Sequence, residues 1–154
     1  MNQTRDWGLI IRQACIAGIV AGITIEAYLL LTVVYPSHMT PVTQLQWIAS
    51  AAFGQLAYSS TGYAIVGLLM HFIVSIAWAG GYAYLAQQQP FMNDRWYISG
   101  PVYGLVVYIF MDLLLLGVRL FVPPPPLGIL NALVAHCIFF GLPLAYTVKR
   151  TSGQ

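Results

Sequence analysis

The chain has 154 residues, of which 59% are hydrophobic and only 6% are charged. Soluble domains carry about 25% charged residues, so this composition excludes a water-soluble fold and predicts one membrane domain over residues 1–154. The net charge of +2 comes from scattered residues rather than a basic run, which excludes nucleic acid as a partner and leaves the lipid bilayer as the expected surroundings.

Four apolar stretches are long enough to cross a hydrocarbon core, which takes about 20 helical residues. Backbone polar groups in lipid must be satisfied within each segment, and the sequence lacks the alternating strands of a membrane β-barrel. The predicted fold class is therefore an all-α, integral membrane bundle of four transmembrane helices. The predicted spans are about 13–35, 63–86, 98–118 and 128–148.

The connection after the first span is the longest of the chain. Within it, apolar residues repeat at helical spacing over about 42–57, and glutamines occupy the other faces. This pattern predicts an uncharged amphipathic helix that lies on the outer membrane surface. The helix either caps a site beneath it or is simply packed as part of the loop.

The basic residues indicate the orientation, because they accumulate on the cytoplasmic side of membrane proteins. In a four-span arrangement five of them fall on the side of both termini, and Arg119 falls on the other side. Both termini are therefore predicted to be cytoplasmic. The five residues are Arg5, Arg12, Arg95, Lys149 and Arg150.

Each predicted span contains one ionisable residue. Such residues are costly in lipid and normally face the bundle interior or a polar cavity. At about 1.5 Å per residue, all four lie roughly 9–13 Å below the outer ends of their helices, so one polar cluster in the outer half is expected. The four residues are Glu26, His71, Asp112 and His136, and the supporting polar residues are Ser75, Tyr82, Tyr108 and Arg119.

Glycines spaced by four residues precede both carboxylates on the same helix face. Small residues at this spacing let membrane helices approach closely. The glycines can pack within one bundle or between copies of the chain, so a homo-oligomer stays open. The predicted packing pairs are Gly18 with Gly22 and Gly100 with Gly104.

Several interpretations of the predicted cluster stay open. Glu26, His71, Asp112 and His136 together suit a divalent transition metal, and the two imidazoles alone suit haem iron. The cluster could instead tie the bundle together in a structural or accessory subunit of a larger membrane complex, or carry protons in an oligomeric proton-coupled transporter. No serine or cysteine is paired with a base at a recognisable spacing, so no catalytic motif is identified and enzymatic activity is undecided.

Residues 67–145 resemble a group of uncharacterised four-span bacterial inner-membrane proteins. The motifs that carry the resemblance are Gly67-Leu-Leu-Met-His71, Gly100-Pro-Val-Tyr-Gly104 and Asn131-Ala-Leu-Val-Ala-His136. The resemblance implies a four-span fold in a bacterial cytoplasmic membrane, but it implies no activity. It also implies that the position of Asp112 is often an amide, which favours a site built on His71 and His136 over one that needs this carboxylate.

Overall fold

The structure is a computed structural model, and it describes residues 6–117 and 126–153. In these ranges the regular structure is entirely helical, and four helices, Trp7–Val34, Gly62–Gln88, Trp96–Leu115 and Pro126–Ser152, are long and apolar enough to cross a membrane. The prediction of an all-α chain with four helices of spanning length is therefore confirmed for the described residues. The helices are α1 (Trp7–Val34), α2 (Pro41–Phe53), α3 (Gly62–Gln88), α4 (Pro90–Asp94), α5 (Trp96–Gly117) and α6 (Pro126–Ser152).

Local sequence signals set the ends of α1 and α2. Asp6 caps α1 by accepting a hydrogen bond from the backbone N–H of Leu9 at 2.9 Å, and α1 therefore begins earlier than the predicted span. Thr40 caps α2, and Pro41 occupies its first turn, where a backbone N–H is not needed. The helix ends at Gly54, whose φ of 55° lies in the left-handed region that favours glycine.

Two of the long helices contain wider, π-helical turns. In α1 they cover Leu30–Val34, and in α6 they cover Ala135–Gly141. Pro143 lies two residues after these turns in α6 and has no N–H to donate to the carbonyl of Phe139, four residues earlier. That carbonyl instead accepts a hydrogen bond from Oγ1 of Thr24 in α1 at 2.6 Å. The proline therefore helps to join α6 to α1.

The long helices form a ring in which one neighbouring pair packs less closely than the others. α1 packs against both α3 and α6, α5 packs against α6, and α2 packs against α3. Over the described residues, α3 and α5 are not a closely packed pair. They meet through aromatic rings, where Trp78 and Tyr82 of α3 each lie edge-on to Tyr103 of α5.

Glycines lie where the long helices approach most closely. A Cβ added at Gly18 would come within 2.5 Å of the main chain of Ile76 in α3. One added at Gly100 would lie 2.6 Å from the carbonyl oxygen of Gly141 in α6, and one at Gly104 would overlap the main chain of His136. Gly22 faces the ring of Phe72 in α3. The four glycines of the predicted pairs thus lie at contacts within one chain.

Both described chain ends lie at the same end of the bundle. The side-chain amide of Gln87, at the end of α3, donates to the carbonyl oxygen of Asp6 at 3.2 Å. The amide of Gln13 in α1 donates to the carbonyl of Val148 at 3.1 Å and to Oγ of Ser152 at 2.8 Å, both in α6. The connection that contains α4 shares this end, and α2 covers the opposite end.

Large apolar side chains are exposed around the outside of the long helices. An apolar exterior of this kind fits contact with the chains of a lipid bilayer. Examples of these exposed residues are Ile11, Ile23, Leu69, Ile73, Ile109, Leu113 and Leu130.

Candidate functional site

A cavity of about 750 Å³ lies between the four long helices and beneath α2. Its volume falls in the range of about 300–1,000 Å³ that is typical of sites for small organic molecules. Most of its wall is apolar, and every long helix contributes to it. The apolar lining includes Ile25, Leu29, Trp47, Ile48, Met70, Val74, Trp78, Met111, Leu115, Ala135 and Phe140.

The structure places most of the predicted site residues in the wall of this cavity. The ionisable residues of all four predicted spans line it, and Ser75 and Tyr108 do so as well. Tyr82 does not line it, and Arg119 lies outside the described residues. The ionisable lining residues are Glu26, His71, Asp112 and His136.

The prediction of a buried cluster of Glu26, His71, Asp112 and His136 that binds a metal ion or haem is wrong. In the part of the chain that the structure describes, no group of three or more His, Cys, Asp and Glu side chains could hold a metal ion, and no charged residue is buried. Equal depth along the helices did not bring three of these side chains within reach of one metal ion in the described residues, although all four line the same cavity. The structural-subunit and proton-transport interpretations rest on the same compact cluster and lose that basis.

His71 and His136 instead form hydrogen bonds with main-chain carbonyl groups. Nε2 of His71 lies 3.1 Å from the carbonyl oxygen of Gly22, and Nδ1 of His136 lies 2.9 Å from that of Ala132. A carbonyl oxygen can only accept, so these ring nitrogens carry the protons, and the remaining nitrogen of each neutral ring is an acceptor. The ring of Tyr108 lies next to that of His136, with 5.4 Å between their centroids.

Glu26 accepts a hydrogen bond from Gln44 of α2. Nε2 of Gln44 donates to Oε1 of Glu26 at 3.1 Å, and the side chain of Gln44 is 8% exposed. The second carboxylate oxygen, Oε2, and the amide oxygen of Gln44 are buried and have no hydrogen-bond partner. An unpaired buried polar atom costs about 1–3 kcal/mol, so the hydrogen bonding of this pair is incomplete.

Gln44 is a site residue that the sequence pattern does not reveal, because it falls on a face of the predicted helix away from the apolar repeat. The sequence feature that could have indicated the position of Gln44 is Gly67 in α3. A Cβ at Gly67 would overlap the carbonyl oxygen of Leu45, so the glycine lets the main chain of α2 lie directly on α3. Gln44, next to Leu45, is thereby brought to Glu26.

Aromatic residues lie beyond the cavity on the side of the chain ends. Tyr82 is fully buried, and its hydroxyl lies 2.7 Å from Oγ of Ser99 and donates to the carbonyl of Met92 at 3.2 Å. The hydroxyl of Tyr103 donates to the carbonyl of Trp78 at 2.7 Å. These hydrogen bonds join α3, α4 and α5. Tyr82 therefore belongs to the contacts between these helices and not to the cavity wall.

Neither a protein-family model, nor a curated protein, nor a solved structure matches the chain. The resemblance to four-span bacterial inner-membrane proteins therefore stays a prediction. The function has to be argued from the chemistry of the cavity itself.

Proposed function

We propose that the chain is a multi-pass protein of the bacterial inner membrane that binds a lipid-soluble small molecule in the cavity between its helices. The observation that carries this proposal is the cavity of about 750 Å³ with a mainly apolar wall. Sites for small organic molecules combine such a wall with a few polar groups that fix orientation. Here those groups include Glu26, Gln44, His71 and His136.

The gap between α3 and α5 supports access from the bilayer. These two helices are not closely packed over the described residues. Val74 of α3 and Leu114 of α5 both line the cavity and are exposed. We infer that a lipid-soluble molecule enters between these helices rather than across the polar ends of the bundle.

The proposed protein is a single transmembrane domain with both chain ends in the cytoplasm and α2 on the outer surface. Basic residues at the end of the bundle that holds both described chain ends support this orientation. They are Arg12, Arg95, Lys149 and Arg150.

Cysteine labelling in intact cells tests the orientation. In a Cys15→Ala, Cys137→Ala background, Ser37→Cys is expected to react with a membrane-impermeant maleimide added outside the cytoplasmic membrane. Asp94→Cys is expected to react only after permeabilisation, because it lies in α4 at the other end of the bundle. The reverse pattern would place both chain ends outside.

Binding of 1-pyrenemethanol to the protein in phosphatidylcholine nanodiscs tests the function. Trp47 and Trp78 line the cavity, so a bound pyrene is expected to quench tryptophan emission in a saturable way. The double variant Ala52→Phe, Ala132→Phe fills part of the cavity, and we expect it to weaken binding about tenfold or more.

A matched control separates the cavity from the lipid-facing surface. Ala27 and Ala77 are exposed in α1 and α3 and do not line the cavity. The double variant Ala27→Phe, Ala77→Phe is expected to bind 1-pyrenemethanol as the unmodified protein does. Non-saturable quenching, or equal binding by both double variants, would refute the proposed function.

A further inference from the structure

We propose that the molecule held in the cavity carries a protonated amine, and that Glu26 and Gln44 bind this amine. The inference rests on the proposed function, because it specifies the head group of the bound molecule. It starts from Glu26 and Gln44, two cavity-lining residues that each have a buried oxygen without a hydrogen-bond partner.

Unpaired acceptors mark the place of the head group. Oε2 of Glu26 and Oε1 of Gln44 are buried acceptors without a partner, and both residues line the cavity. Gln44 is more than nine-tenths buried, and its amide nitrogen is already used by Glu26. What this part of the wall lacks is therefore a hydrogen-bond donor with at least two N–H or O–H groups.

The charge of the wall favours a cation as that donor. Glu26 and Asp112 are its carboxylates, and the described lining residues include no lysine or arginine. The free ring nitrogens of His71 and His136 add acceptors and no charge in their neutral forms. A protonated primary amine supplies three donors and one positive charge, and charge-assisted hydrogen bonds are about twice as strong as neutral ones.

Other head groups fit less well. An alcohol supplies a single donor and no charge, so it satisfies one of the two unpaired acceptors. A carboxylate or a phosphate would be repelled by Glu26 and Asp112. The apolar remainder of the wall accommodates the hydrocarbon or aromatic body of the amine.

Three probes that differ only in the head group test the inference: 1-pyrenemethylamine, 1-pyrenemethanol and 1-pyrenecarboxylate. Each is titrated into the protein in phosphatidylcholine nanodiscs at neutral pH, with saturable tryptophan quenching as the readout. We expect the amine to bind about tenfold tighter than the alcohol, and the carboxylate to bind most weakly.

The variant Glu26→Gln is expected to remove the advantage of the amine over the alcohol. The control Asp94→Asn removes one negative charge from an exposed site in α4, and it is expected to keep that advantage. If Glu26→Gln does not fold, the order of the affinities of the three probes for the unmodified protein tests the amine assignment.

The outcomes separate the two proposals. Absence of saturable binding by 1-pyrenemethanol would refute the proposed function itself. Saturable binding of the alcohol with an amine that binds no tighter would overturn the amine assignment alone. An advantage of the amine that persists in Glu26→Gln would overturn it as well.

Discussion

Tyr28 joins two of the long helices through one hydrogen bond and one ring contact. Its hydroxyl donates to Oδ1 of Asn131 in α6 at 2.6 Å, and Nδ2 of Asn131 donates to Oγ1 of Thr32 in α1 at 3.3 Å. Its ring is stacked on that of Phe139 with 4.1 Å between the centroids. Because lipid offers no competing hydrogen-bond partner, such a bond holds the helices in register.

The substitution Tyr28→Phe isolates the hydrogen bond, because it keeps the ring contact with Phe139. We expect the free energy of unfolding to fall by about 0.5–1.5 kcal/mol, the range of interhelical hydrogen bonds in membrane proteins. Reversible unfolding in mixed detergent micelles measures it. Tyr35→Phe is the control, since Tyr35 is exposed, and a loss of equal size there would contradict this role of Tyr28.

At the residue scale, the sequence predicted one buried cluster of ionisable side chains, whereas the described residues hold no group of three that could bind a metal ion. The cost of a charge in lipid is enough to predict that Glu26 and His71 face the interior. The distance between side chains across the bundle depends on tertiary packing, which the spacing along one helix does not encode. The metal prediction failed for this reason, and Gln44 was missed because its partner is on another helix.

At the scale of elements, the position of α2 depends on Gly67. The glycine lets the main chain at Leu45 lie against α3, and this contact places Gln44 beside Glu26. α2 forms one wall of the cavity through Trp47 and Ile48. A displacement of α2 would therefore open the cavity at this end.

The substitution Gly67→Ala is expected to destabilise the protein by about 1–3 kcal/mol, because the added methyl group overlaps the carbonyl of Leu45. Unfolding in mixed micelles measures the loss. Gly80→Ala in the same helix is the matched control, since its Cβ would meet that of Ala14 at an ordinary 3.4 Å. Equal stability of the two variants would show that α2 does not depend on the close approach at Gly67.

The long helices could be predicted because lipid imposes a simple rule on them. A segment of about 20 apolar residues must satisfy its own backbone, and this requirement is visible in composition alone. The π-helical turns of Ala135–Gly141 could not be predicted in the same way. His136 and Phe140 lie in these turns and line the cavity, and the turns contact α1 and α5, which are contacts that the local sequence does not specify.

At the scale of the whole molecule, the bundle is a ring with one loose seam. α3, α1, α6 and α5 pack in this order, and the seam lies between α3 and α5. Aromatic residues close the seam towards the chain ends, and α2 covers the opposite end. Protein interiors are normally close-packed, so a bundle whose interior only held the helices together would not need a cavity of about 750 Å³ between them.

Photolabelling locates a bound molecule directly and therefore tests the central claim. The protein in phosphatidylcholine nanodiscs is irradiated with a trifluoromethyl diazirine of benzyl alcohol, with and without excess 1-pyrenemethanol, and the adducts are mapped by mass spectrometry. We expect competitor-sensitive adducts on cavity residues such as Ile48, Trp78 and Met111, and competitor-insensitive adducts on lipid-facing residues such as Leu69 and Ile109. Adducts confined to lipid-facing residues, or cavity adducts that the competitor does not reduce, would contradict binding in the cavity.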